Sequence, residues 1–115
     1  MTLAASLGGC VSTAIGVLHE QHAQAATAAM HNDLGLDKIA VIEYATDHDG
    51  ALTGVTPAAL AKYGFSQAKS TLDLQVHVGS DLKFCIQART QGGPVEKDTA
   101  DGDIAAGHCV AGADY

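Results

Sequence analysis

The chain has 115 residues and a formal net charge of -7, which fits one domain and argues against a nucleic-acid partner. Its six basic residues, Lys38, Lys62, Lys69, Lys83, Arg89 and Lys97, are scattered and form no patch. Aromatic residues make up 4% and there is no Trp, so the core must be aliphatic and closely packed through Ala and Gly.

Residues 1–46 read as one helix in two halves of different character. At 1.5 Å per residue that helix is roughly 65 Å long, whereas a compact domain of this size has a radius of gyration of about 13 to 14 Å. Residues 1–18 (MTLAASLGGCVSTAIGVL) carry no charged side chain and are close to the minimum length for crossing a bilayer. Three readings stand. The segment is the remainder of a membrane helix that begins upstream; or a lipoprotein signal, with Leu7-Gly8-Gly9-Cys10 as a rough lipobox; or an Ala-rich helix buried in a bundle. Gly8, Gly9 and Gly16 allow a neighbouring helix to come close. Leu7, Ala14, Ile15, Val17 and Leu18 are the residues expected to pack in a shared apolar core.

Residues 19–115 are expected to form the globular part. His19 and His22 share a helix face but lack a third ligand, and the spacing is not that of the zinc motif H-E-x-x-H. They read as solvated. Met30, Leu34, Val41 and Ala45 follow helical spacing, and Ile39 and Ile42 widen the stripe. Gly35 weakens its middle. Asp47-His48-Asp49-Gly50 ends the helix, with only a faint echo of a calcium loop. Thr56 and Pro57 cap a short helix that exits at Gly64.

Two alternating runs follow. Leu72, Leu74, Val76 and Val78 point one way, opposite Asp73, Gln75 and His77. Leu82, Phe84, Ile86 and Ala88 alternate with Lys83, Cys85, Gln87 and Arg89. Across Gly79-Ser80-Asp81 they predict an antiparallel hairpin that covers the helix stripe. The expected class is α+β, a long N-terminal helix packed on a small antiparallel sheet.

The chain has three cysteines, Cys10, Cys85 and Cys109. In an exported protein, Cys85 and Cys109 pair and Cys10 is left over; a cytosolic reading leaves the thiols free. Cys85 lies on the hairpin face away from Phe84 and Ile86. A Cys85–Cys109 bond therefore staples the C-terminal segment over the outer face or edge of the hairpin. Asp98, Asp101 and Asp103 lie in that segment on what reads as a flexible turn. They suit calcium, which takes oxygen ligands in loose geometry, or form a solvated acidic loop. No Ser-His-Asp or Cys-His pairing stands on predictable geometry, and a disulfide at Cys85 removes the nucleophile nearest His77, so catalysis is not expected.

This order resembles the type IV pilins and the pseudopilins of type II secretion. Ala14-Ile15-Gly16-Val17-Leu18, followed by His19-Glu20-Gln21, is similar to the family's Ala-Ile-Pro-x-Phe and its polar continuation. Glu43-Tyr44-Ala45-Thr46-Asp47-His48-Asp49-Gly50 resembles its Glu-Ala-Tyr-x-x-Asp-Asn-Gly. Leu60 to Phe65 fits its Leu-x-x-x-Gly-Phe. Gly16 stands where the family has Pro, and Ala4 and Ala5 stand where it has Glu. Its basic leader has no counterpart, as expected either of a chain truncated at its N-terminus or of an unusual branch of the family. The resemblance implies a homo-oligomeric helical filament held before assembly in the bacterial inner membrane, displayed in the periplasm or at the cell surface. It also implies contact with the assembly machinery and a calcium ion in the C-terminal loop. The alternative from another class is a small exported lipoprotein or ligand-binding domain anchored at Cys10.

Overall fold

The computed structural model describes the backbone of residues 11–115 and the side chains of residues 21–115. Leu7 and Cys10 lie outside the described residues, as do the side chains of Ala14, Ile15, Val17 and Leu18. The fold is α+β. Helix α1 (Val11–Asp47) is followed by a short helix α2 (Pro57–Leu60), a 3-10 turn (Ala61–Tyr63) and strands β1 (Leu72–Val78), β2 (Phe84–Arg89), β3 (Glu96–Thr99) and β4 (Ala105–Ala106). The four strands form one antiparallel sheet in the order β1-β2-β3-β4.

α1 runs unbroken through Gly35 and ends where the left-handed Asp49 and Gly50 turn the chain, with the Gly50 N–H donating to the Ala45 carbonyl at 2.7 Å. Met30, Leu34, Ala40, Val41, Tyr44 and Ala45 are buried on its inner face. At 100° per residue Ile39 stands nearly opposite Val41. It is 52% exposed and Ile42 is 49% exposed, so neither widens the buried stripe as expected. α2 is built as its punctuation predicts. The Thr56 hydroxyl accepts from the Ala59 N–H at 3.0 Å, Pro57 opens the helix, and Gly64 leaves the 3-10 turn at φ 90°.

Phe84, Ile86 and Ala88 face the helix, and the core closes over them with Leu52 and Leu60. Two details differ from simple alternation. A bulge between Leu72 and Gln75 places both on the face opposite Leu74 and Val76, because Leu72 pairs with Arg89 and Gln75 with Gln87. Asp73 takes the bulge with φ 53° and accepts from Arg89 Nε at 2.6 Å. Leu82 belongs to the turn rather than the strand, since Asp81 and Leu82 both adopt positive φ.

β3 and β4 extend the sheet beyond the expected hairpin. Their residues, Glu96 to Thr99 and Ala105-Ala106, carry no alternating apolar signal, so pairing of β3 with β2 and of β4 with β3, rather than side-chain pattern, makes them strands. β2 is buried on both faces: the helix covers one and the C-terminal segment covers the other. The Cys85–Cys109 disulfide joins them with Cα atoms 5.8 Å apart. Gln87 accepts from the Cys109 N–H at 2.9 Å beside it. Lys97 donates to Asp114 at 2.6 Å and holds that carboxyl below the ordinary carboxylate range, while the Tyr115 ring stacks on His77. The tail is thus tied at three places.

Candidate functional site

Two features of α1 stand out, an inward row of polar side chains and an outward row of apolar ones. Asp33 and Asp37 lie one turn apart, inside the buried stripe. Asp33 accepts from Ser66 Oγ at 2.7 Å, the Ala68 N–H at 2.7 Å and Thr71 Oγ1 at 2.6 Å. Burial pushes its pKa up, but these three bonds outweigh it and hold the group below its ordinary value. Asp37 Oδ1 accepts from the Ser66 N–H at 2.7 Å, while its Oδ2 is buried with no hydrogen-bond partner. Burial, with the charge of Asp33 adding to it, pushes Asp37 up to about 7. The two carboxylates fasten the connector that runs from the 3-10 turn into β1.

On the other flank of the helix and half-exposed, His31 Nε2 lies 2.8 Å from a Glu96 carboxylate oxygen. Lys38 reaches the acidic loop. Its ammonium donates to the Gly102 carbonyl at 2.8 Å and to Asp98 Oδ1 at 3.4 Å. Asp98 is not on a flexible turn as expected. It sits on β3 opposite Ile86 and is 4% exposed, whereas Asp101 and Asp103 are exposed. Burial raises the Asp98 pKa against the pull of Lys38, and the charge of Asp103 adds to the rise. Lys38 therefore supplies the positive charge at this loop. With its ammonium between Asp98 and the Gly102 carbonyl, the residues do not fit a calcium ion. Among the described residues no group of three or more His, Cys, Asp or Glu is arranged to hold a metal. Replacing Lys38 by Met is expected to lower stability by about 1 to 2 kcal/mol, less than a fully buried pair because Asp98 can take up a proton. Urea midpoints with and without millimolar calcium check both readings. The wild type is expected to show no calcium-dependent shift.

The other sequence-selected groups are placed as follows. Cys85 and Cys109 are joined, and His77 sits opposite Cys85 across β1 and β2. His22 is exposed, and the side chain of His19 lies outside those described. Asp47 accepts from the Tyr63 hydroxyl at 2.9 Å, so it ties the end of the helix to the 3-10 turn.

The outward row of α1 is Leu36, Ile39 and Ile42, spaced three apart and 40 to 52% exposed. Ile42 also lines an open groove of about 300 Å³ with Val41, Ala45, Leu52, Leu82 and Phe84, and Asp101 borders it. Packing of α1 on the domain begins in earnest at Met30, while residues 21–25 are exposed. Leu18 lies a further 12 positions along the same helix, roughly 18 Å beyond Met30. Among the described residues no helix is long and apolar enough to cross a membrane. Compared with known protein families, curated proteins and solved structures, the chain matches none.

Proposed function

We propose that this chain is a structural subunit of a helical filament of the type IV pilus or type II pseudopilus kind. Before assembly it is held in a bacterial inner membrane, and afterwards it is displayed in the periplasm or at the cell surface. The observation that carries this reading is the helix that outruns its own domain. α1 has 37 described residues, about 55 Å of helix, and the radius of gyration is 17.8 Å against about 13 Å for a compact chain. Residues 1–18 carry no charged side chain, and a shaft of that character needs cover from outside its own domain. Lipid or sister subunits would provide it. Leu36, Ile39 and Ile42 extend the apolar surface along the shaft toward the globular part.

Head-to-tail contacts between such shafts do not close on themselves, so they build filaments rather than rings. The acidic globular parts then face outward. The disulfide supports an exported location, because such bonds persist in oxidising compartments.

The test places a charge on the shaft. Ala14→Asp, and separately the pair Ile39→Asp and Ile42→Asp, are expected to abolish filaments in sheared-cell electron microscopy. Ile39 and Ile42 are half-exposed, so the double variant should keep its urea midpoint within about 0.5 kcal/mol of wild type. Filaments at the wild-type level from either variant refute the assignment. The second reading rests on Cys10, the cysteine that the disulfide leaves over. Diacylglycerol on Cys10 in an N-terminal mass spectrum would make the chain a lipoprotein instead.

A further inference from the structure

We infer that Asp33 and Asp37 form a proton-dependent latch that seats residues 66–71 on the long helix. The argument starts from one anomaly. Asp37 is 0% exposed, and one of its carboxylate oxygens has no partner. A buried polar atom without a partner is rare and calls for a cause. Here the cause is geometric. Ser66 bridges the two acids, giving its N–H to Asp37 and its hydroxyl to Asp33. Asp33 takes two further donors of the connector, the Ala68 N–H and the Thr71 hydroxyl, while the Gln67 amide turns to the Thr71 carbonyl. None of these donors reaches the second oxygen of Asp37.

A proton resolves the conflict. The neutral acid keeps its bond from Ser66 and removes the repulsion with Asp33. The ionised acid places a second negative charge one helical turn from the first, away from water. Its relief is to open. When the connector lifts from the helix, water reaches Oδ2 and the acid returns to its ordinary behaviour.

Among the described residues no other charge offsets this. Asp33 is the charged group acting on Asp37 from its own helix, and its sign adds to the penalty. From the connector comes only the Ser66 N–H, and Lys69 of that segment is exposed. Lys62 of the preceding 3-10 turn is exposed as well. On the sheet side, Glu96 and Asp98 of β3 are engaged by His31 and Lys38.

The sign follows from linkage. The seated pKa of about 7 lies above the ordinary carboxylate value, so the latch is tightest in acid and weakens as pH rises to 7. Above 7 the weakening is complete. Between pH 5 and 8 the open form gains on the order of 100-fold over the seated one.

Native-state hydrogen exchange on the full chain tests this, with rates corrected for intrinsic chemistry. Protection of the Ser66 and Ala68 amides is expected to fall about 100-fold from pH 5 to pH 8. Protection at Phe84 and Ile86 is expected to stay level. Asp37→Asn, which keeps an acceptor for Ser66, is expected to make the two connector amides indifferent to pH. A flat profile in the wild type overturns the latch, and so does a fall that persists in the variant or spreads evenly across the sheet. Should the variant not fold, carbon NMR of the wild-type Asp37 carboxyl decides. A midpoint near 7 supports the latch and one near 4 sinks it. None of these outcomes depends on filament formation.

Discussion

Asp33→Ala is expected to cost about 4 kcal/mol, as much as truncating a fully buried aliphatic side chain. The carboxylate accepts three hydrogen bonds from Ser66, Ala68 and Thr71. Bonds to a charged acceptor contribute roughly 1.5 to 3 kcal/mol each, and the sum is reduced because the three act as one network. Thr71 is itself buried, so truncation strands its hydroxyl without water. Asp33→Asn separates charge from shape. Its one remaining carbonyl oxygen can serve two donors at best, and about half the loss is expected. Asp33 titrates below its ordinary value, so its contribution is present above pH 4 and disappears as pH falls further. That slope is opposite to the slope set by Asp37. For these two groups together, stability should peak near pH 4 to 5 and decline on both sides. Urea unfolding across pH 3 to 8 measures it. A loss below 1 kcal/mol in Asp33→Ala would show that the connector is held by other means.

Removing the disulfide is expected to cost about 3 kcal/mol. The bond spans 24 residues of sequence, and closing such a loop in the unfolded chain accounts for that amount in the chain-entropy model. The effect should be concentrated in the tail. Without the bond, residues 105–115 keep the Lys97–Asp114 pair, the Gln87 contact and the ring stack on His77. These are partly exposed polar contacts of modest worth. The Cys85→Ala, Cys109→Ala double variant should therefore lose protection in β4 and the tail first, while β1 and β2 exchange near the wild-type rate. A thermal melt with and without reductant gives the magnitude. An unchanged midpoint would mean that the outer face of β2 is covered without the bond.

The fold was legible wherever local chemistry and packing agree. Thr56, Pro57 and Gly64 mark α2 because each satisfies a backbone requirement on its own. The alternation around Phe84 and Ile86 puts Cys85 on the outer face, where the structure bonds it to the tail. Reading failed where partners distant in sequence decide. β3 is a run of Glu, Lys, Asp and Thr that becomes a strand only because β2 offers it an edge. Asp98 looked like a loop ligand and is instead buried opposite Ile86, answered by a lysine 60 residues earlier. Residue type alone places Ile39 and Ile42 in the core, although the helical angle sets Ile39 apart from Val41. Asp33 and Asp37 were overlooked, yet a signal existed. Both fall on the flank of the stripe that Met30, Leu34 and Val41 define, between it and the buried Ala40, where an acid has no place unless something binds it.

The placing of Asp33 and Asp37 on one flank of the buried stripe and of His31 and Lys38 on the other has a consequence for alignment. A rod whose buried side holds much alanine and a few aliphatic residues is nearly smooth, and could slide along a sheet by one turn with little change in contact. Four polar teeth, two meshed with residues 66–71 and two with β3 and the loop after it, oppose that slippage. One notch of displacement would part His31 from Glu96 and Lys38 from Asp98, and would leave one aspartate alone at a connector that two now share. The rod and head are thereby keyed to a single setting.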